Sequence, residues 1–68
     1  MEKVKLIDFL TEKIFEEAMD ANVYTEHAAG YDNPTVKSTL SKIADEEVNH
    51  QKLLVKLLAE IAKGNGEN

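Results

Sequence analysis

The sequence predicts an all-α fold, an antiparallel hairpin of two long helices. Apolar residues recur at intervals of three and four, the chain is rich in Ala, Leu, Glu and Lys, and one strong break, GYDNP, interrupts it. Such intervals place side chains on one face of an α-helix, whereas a strand would need strict alternation. Because a chain of 68 residues buries too little surface to be comfortably stable alone, we expect two hairpins to pair into a four-helix bundle.

The break divides the chain into two predicted helices within one domain that spans residues 1–68. Gly30 suits the C-terminus of a helix, and Asn33 with Pro34 suits the cap and first position of the next one. The first helix is therefore predicted from about residue 4 to residue 29 and the second from about residue 34 to residue 63. The turn covers residues 30–33, and we expect the tail, residues 64–68, to fray.

Composition restricts the classes of partner and of site. The chain has 13 acidic residues against 8 lysines and no arginine, for a net charge of −5, which argues against nucleic acid as a partner. It has no cysteine, so a metal would have to be held by oxygen and imidazole nitrogen. No apolar run approaches the roughly 20 residues of a membrane span, and no cleavable leader is evident. We therefore expect a cytoplasmic protein without a membrane partner.

Each predicted helix carries one heptad stripe, and ionisable residues interrupt both stripes. Glu17 lies thirteen residues before Gly30, and Glu47 lies thirteen residues after Pro34. At 1.5 Å per residue, both carboxylates stand roughly 20 Å from the turn and are level with each other. His50 follows one helical turn after Glu47 on the same face. The stripes are Ile7, Leu10, Ile14, Glu17, Ala21, Tyr24 and Ala28 on the first helix, and Val36, Leu40, Ile43, Glu47, His50, Leu54, Leu57 and Ile61 on the second.

Two level carboxylates in a helical seam repel each other, and each loses solvation. Three arrangements relieve this cost: the seam is wet at that point, the acids are protonated or paired with lysine, or a cation bridges them. The nearest lysines, Lys13, Lys42 and Lys52, fall off the stripe positions. Glu47 and His50 form a Glu-x-x-His pair that offers an oxygen and a nitrogen to one ion, and Glu17 adds a second carboxylate. A metal-free polar layer that fixes helix register remains the alternative.

One hairpin holds half of the ligand set of a four-helix di-iron protein. Such bundles take one glutamate from each of two helices and a Glu-x-x-His from each of the other two. A symmetric pair of hairpins would therefore bring two copies of Glu17, Glu47 and His50 around two metals. It would also bury the stripes that a monomer exposes, so stability and chemistry both favour a homodimer.

The segments FEEAMDANVY and KIADEEVNHQKLL resemble the rubrerythrin and ferritin-like superfamily. In that pattern a glutamate seven residues before a tyrosine is followed, one helix later, by Glu-Glu-x-x-His. With two helices, the chain is most similar to the encapsulated ferritin-like proteins, or half-ferritins, whose two-helix subunits pair to build a ferroxidase centre. The resemblance covers roughly residues 10–61, and its joint spacing is more specific than either motif alone.

The resemblance implies a role for individual residues. Glu17, Glu47 and His50 match the iron ligands, and Tyr24 matches a tyrosine near the centre. Glu16 matches one member of an outer carboxylate set that guides iron inward, although Met19 replaces its companion acid. In the implied mechanism Glu47 bridges two irons, and Glu17 and His50 terminate them. Manganese and zinc suit the same ligands as iron.

The resulting hypothesis is a ferroxidase that oxidises Fe(II) with oxygen or peroxide at a site shared across a homodimer, for iron storage or detoxification. The resemblance also implies a higher, ring-like oligomer. Relatives housed in encapsulin shells usually end in an apolar docking peptide, whereas this sequence ends in AKGNGEN, so an encapsulin partner is not supported. A location inside a protein nanocompartment would require a C-terminal segment beyond this sequence. The alternative hypothesis is a non-catalytic module in which a metal merely stabilises the dimer.

Overall fold

The computed structural model describes residues 2–64 and confirms the all-α hairpin. Helix α1 covers Glu2–Ala29, helix α2 covers Pro34–Ala62, and the two helices pack against each other. No strand occurs among the described residues. Most of the predicted tail, residues 65–68, lies outside the described residues. Neither helix is long and apolar enough in its described part to cross a membrane.

The turn between the helices is held by hydrogen bonds from both sides. The side-chain oxygen of Asn33 accepts hydrogen bonds from the backbone N–H groups of Thr35 and Val36, at 2.9 and 3.1 Å, which caps α2. The Lys37 ammonium donates a hydrogen bond of 3.0 Å to the carbonyl of Ala28 near the end of α1. These contacts fix where each helix ends, and therefore which residues face each other along the hairpin.

The two glycines that mark helix ends behave differently. Gly64, after α2, has a φ of 89°, in the left-handed region that favours glycine. Gly30 has no positive φ, and a Cβ there would meet its nearest atom, the His27 carbonyl oxygen, at an ordinary 3.6 Å. Of these two glycines, therefore, only the one after α2 ends its helix in the left-handed conformation.

The core is narrow and built largely from small residues. Only Leu10, Ala21, Ala28, Ala44 and Ile61 are buried among the described residues. Alanines let two helices approach closely, but a single layer of contact buries little apolar area. Large exposed apolar side chains remain on both helices: Val4, Leu6, Phe9, Phe15, Met19, Val23, Tyr31, Val48, Leu53, Val55 and Leu57.

The predicted stripe of α2 differs from the face that actually packs on α1. His50 and Leu57 are exposed, whereas Ala44 is buried and Gln51 and Leu58 are half-buried. The predicted stripe combines residues from two faces of α2. One face packs against α1, and the other carries exposed apolar side chains on the open side of the hairpin. His50 therefore lies at the edge of the seam rather than inside it.

Candidate metal centre

Glu17, Glu47 and His50 converge at mid-height of the hairpin. One ligand atom from each residue lies within 4.8 Å of the others. The Nδ1 atom of His50 is 3.4 Å from Oε2 of Glu17 and 3.8 Å from Oε1 of Glu47. The matching distances of Glu17 and Glu47 from the turn produce this convergence, since antiparallel helices align residues at equal height. The structure thus brings together the three side chains singled out from the sequence.

The three side chains differ in solvent exposure. The side chains of Glu17 and Glu47 are 18% and 17% exposed, whereas that of His50 is 54% exposed. The carboxylates therefore lie between the helices, and the imidazole lies at the rim. Together with Phe9, Leu53 and Leu54, Glu17 and His50 line a shallow concavity on one side of the hairpin, which we call the front face. The site consequently opens toward an apolar surface.

The pKa of the Glu47 carboxyl is raised above its ordinary value. The first cause is a side-chain hydrogen bond with Glu17, followed by partial desolvation and by repulsion from the charges of Glu17 and Asp20. His50 acts in the opposite direction. Two facing carboxyls that share a hydrogen bond favour one proton between them. In the absence of a cation, a proton therefore relieves the repulsion at this site.

Lysine does not neutralise the pair of carboxylates. Lys13 lines the same concavity, but its ammonium forms an ion pair of 2.9 Å with Glu16. That hydrogen bond and the charge of Glu16 raise the pKa of Lys13. Of the three arrangements open from the sequence, direct pairing of Glu17 or Glu47 with lysine is absent from the described residues.

The donor set fits a divalent ion that accepts oxygen and imidazole nitrogen. Ligands about 2.0–2.2 Å from one metal lie roughly 3 Å from each other, and the observed separations of 3.4 and 3.8 Å are only slightly larger. A cation would take the place of the shared proton and satisfy both carboxylates. Three protein ligands leave further coordination positions open, and the exposed imidazole of His50 lies on the solvent side of the cluster.

The two supporting residues lie outside this cluster. Glu16 is exposed and is engaged by Lys13. Tyr24 is half-buried, two helical turns from Glu17 toward the turn, and lines another concavity with Val36 and Leu40. Within residues 2–64 its hydroxyl makes no hydrogen bond to Glu17.

Sequence reasoning missed two residues close to the centre. Asp20 contributes to the electrostatic field on Glu47, and Gln51 is half-buried one turn after Glu47. Spacing could have identified both, since Asp20 follows Glu17 by three residues and Gln51 follows Glu47 by four. The predicted stripe of α2 included His50 and omitted Gln51.

Comparison with known proteins identifies the family. A family model described as Rubrerythrin matches residues 8–67, which is most of the chain and includes all three clustered side chains. Neither the curated proteins nor the solved structures contain a match to this chain. On the extent of the family match, the chain belongs to the Rubrerythrin family of the ferritin-like superfamily.

Proposed function

We propose that this protein is a ferroxidase-type di-iron protein that binds Fe(II) at Glu17, Glu47 and His50 and promotes its oxidation. The convergence of these three side chains carries the proposal. Membership of a family that typically binds iron supports iron over manganese or zinc. Storage or detoxification of iron in the cytoplasm is the corresponding cellular role.

A homodimer completes the site. One hairpin offers two carboxylates and one imidazole, half of the set that a four-helix di-iron bundle uses. The cluster lies near the middle of both helices, at residue 17 of Glu2–Ala29 and residues 47 and 50 of Pro34–Ala62. If a twofold axis perpendicular to the helices passed through this height, the two hairpins would lie alongside each other over their whole length.

The front face is suited to this contact. Phe9 is 55% exposed, Leu53 66% and Leu57 46%, and Phe9 and Leu53 border the concavity at His50. Covering these side chains with a second hairpin would bury apolar surface and exclude water from the centre. Lower local dielectric strengthens the attraction between carboxylates and a cation, so the same contact stabilises the dimer and the site.

Each side chain then has a distinct task. Following the resemblance, Glu47 would be the carboxylate shared by two irons, while Glu17 and His50 would each hold one of them. Glu47 must release its proton to bind, and its raised pKa makes that release dependent on pH. Bound iron supplies the electrons that reduce oxygen or peroxide. Glu16 would attract Fe(II) at the surface, and Tyr24 would hydrogen-bond to a ligand carboxylate in the dimer.

The test is aerobic Fe(II) oxidation, followed by ultraviolet absorbance, on metal-free protein with oligomer size measured in the same buffer. We expect rapid oxidation by the parent and loss of activity in Glu47→Ala and His50→Ala. His27→Ala is the matched control, because His27 is exposed and outside the cluster. Equal, background-slow rates in the parent and in His50→Ala would reject the ferroxidase assignment.

The same preparation separates catalysis from a purely structural metal. An enzyme oxidises many irons per site, whereas a structural clamp binds about one set and raises the melting temperature without turnover. If metal stabilises the parent but Fe(II) oxidation stays at background, the site is a clamp. If metal neither binds nor stabilises, Glu17, Glu47 and His50 form only a polar layer.

A further inference from the structure

Lys13 brings a positive charge to the edge of the metal centre. It lines the concavity of the front face together with Glu17 and His50, two of the three clustered side chains. A lysine so close to carboxylates competes with a metal ion for them, because the same negative charge attracts both. In the structure its ammonium lies 2.9 Å from Oε1 of Glu16 instead, and among the described residues it forms no ion pair with Glu17 or Glu47.

Helix geometry places two carboxylates within reach of this ammonium. Glu16 follows Lys13 by three residues and Glu17 follows it by four. Residues at both intervals are neighbours on the surface of a helix, with Cβ atoms about 5–6 Å apart. Glu16, through its hydrogen bond and charge, and more weakly the charge of Glu17, raise the pKa of Lys13. A change of side-chain rotamers is therefore enough to move the ammonium from one carboxylate to the other.

The two carboxylates differ in what a bound lysine would do there. Glu16 is 52% exposed and lies outside the three-residue cluster, so an ion pair with it leaves the centre open to metal. Glu17 is 18% exposed and belongs to the cluster, so an ion pair with it would occupy an oxygen that a metal needs. That second pair would also relieve the repulsion between Glu17 and Glu47, as a proton or a metal ion does.

We propose that Glu16 is a positioning residue that holds Lys13 away from Glu17, and so keeps the metal centre free for a cation from solution. This role rests on the metal-binding function proposed above, and it concerns affinity for metal rather than oxidation. Loss of the Glu16 carboxylate then has two effects. One negative charge disappears from the rim of the centre, and the ammonium of Lys13 becomes free to pair with Glu17. The second effect exists only when Lys13 is present.

Holding Lys13 differs from direct attraction of Fe(II) by Glu16. Direct attraction depends on the Glu16 charge alone, so removing that charge would weaken metal binding to the same degree with or without Lys13. Holding the lysine depends on the pair, so the same change matters much less once Lys13 is gone. A double-mutant cycle isolates this pairwise effect.

The cycle uses Glu16→Gln, Lys13→Met and the double variant in the full chain, with Zn(II) affinity measured by isothermal titration calorimetry on metal-free protein at neutral pH. Met keeps a long, flexible side chain while removing the charge. We expect Glu16→Gln to weaken Zn(II) binding by about fivefold in the parent background and by less than about twofold in the Lys13→Met background. Lys13→Met alone should raise the affinity or leave it unchanged, because it removes a competing cation.

Thermal melts of the metal-free protein give a second readout that a purely structural role of Glu16 would not produce. When Lys13 pairs with Glu17 in Glu16→Gln, it relieves the repulsion at the centre, so this variant should melt at or above the temperature of the parent. The stabilisation that Zn(II) adds should be smaller than in the parent, because the ion must displace the lysine. A melting temperature that falls by the same amount with and without Zn(II) would contradict the proposal.

Two matched variants control for the change in net charge. Glu12→Gln removes one acid from an exposed position of α1, and Lys42→Met removes one lysine from an exposed position of α2. Both should bind Zn(II) within about twofold of the parent. If Glu16→Gln weakens binding equally with and without Lys13, the proposal is overturned and Glu16 acts only through its own charge.

His50→Ala separates this result from failure of the centre itself. Zn(II) binding that is unchanged in His50→Ala would reject the centre and, with it, both proposals. Binding that depends on His50 but shows no coupling between Lys13 and Glu16 would overturn the present proposal alone. Conversely, a coupled cycle in a protein that oxidises Fe(II) only at the background rate would support the role of Glu16 and reject the ferroxidase.

Discussion

The carboxyl groups of Glu17 and Glu47 lie close together between the two helices, and the Glu17 carboxyl is the largest cause of the raised pKa of Glu47. Both are mostly shielded from solvent, at 18% and 17% exposure. Two such groups cannot both ionise without repulsion, and a proton or a cation between them relieves it. We therefore expect competition between a proton and a cation for these carboxyls to make the stability of the protein depend on pH and on metal.

The metal-free protein should gain stability from Glu47→Gln at neutral pH. The pKa of Glu47 is raised in the folded state, so the native state binds this proton more tightly than the unfolded state. The resulting stabilisation is fully present below the unfolded value, near 4.5, and is lost as pH rises through the folded pKa. Gln mimics the protonated acid and keeps the stabilisation at every pH.

Thermal melts between about pH 4 and pH 8 with a chelator measure this effect. The melting temperature of Glu47→Gln should exceed that of the parent at pH 7, and the gap should narrow toward pH 4. Glu46→Gln is the control, because Glu46 is exposed and lies outside the cluster. A parallel shift of both variants would show that general charge, rather than the Glu17 contact, is responsible.

Metal should stabilise the protein and should do so less at acidic pH. A ligand at one hundred times its dissociation constant adds about 2.7 kcal/mol, which for a small domain raises the melting temperature by roughly 10–20 °C. Protons compete for Glu47, so the metal-induced shift should shrink as pH falls. Calorimetric scans with Mn(II) or Zn(II) avoid oxidation. A shift that persists in His50→Ala and Glu47→Ala would place the metal elsewhere.

Asn33→Ala should destabilise the hairpin. The Asn33 side chain accepts two backbone hydrogen bonds at the start of α2, and loss of such a cap costs about 1 kcal/mol. We expect the melting temperature to fall by roughly 4–8 °C. Asn49→Ala, at an exposed position inside α2, should raise it slightly or leave it unchanged, since Ala is the better helix former. Equal losses in both variants would contradict the capping role.

Tyr24→Phe should slow iron oxidation several-fold, because it removes the hydroxyl proposed to hold a ligand carboxylate. Within one hairpin the Tyr24 hydroxyl makes no hydrogen bond to Glu17, so the expected effect depends on its hydrogen bond to a ligand carboxylate in the proposed dimer. Oxidation rate and dimer mass are measured together, with Tyr31→Phe as control because Tyr31 is exposed near the turn. Unchanged kinetics in Tyr24→Phe would leave this residue with a packing role only.

The helices and the centre followed from spacing. Apolar intervals of three and four predicted α1 and α2, and equal distances from the turn predicted that Glu17 and Glu47 would be level. Both inferences depend on local geometry, the fixed rise and rotation of an α-helix. The family match over residues 8–67 agrees with the ferritin-like resemblance, while the half-ferritin subtype stays a prediction.

By itself, then, the sequence determined the helical hairpin and the height of its three ionisable side chains, because periodicity along a helix fixes both. Only the tertiary structure decided which flank is buried: Gln51 turns inward, whereas His50 and Leu57 stay at the open edge. It also revealed that the neighbouring Glu17 raises the pKa of Glu47, and that Lys13 forms its ion pair with Glu16. The rotation of each helix about its own axis decides which side chains are buried and which meet each other. That rotation depends on how α1 packs against α2. The sequence leaves it ambiguous, because each helix has apolar residues on both flanks.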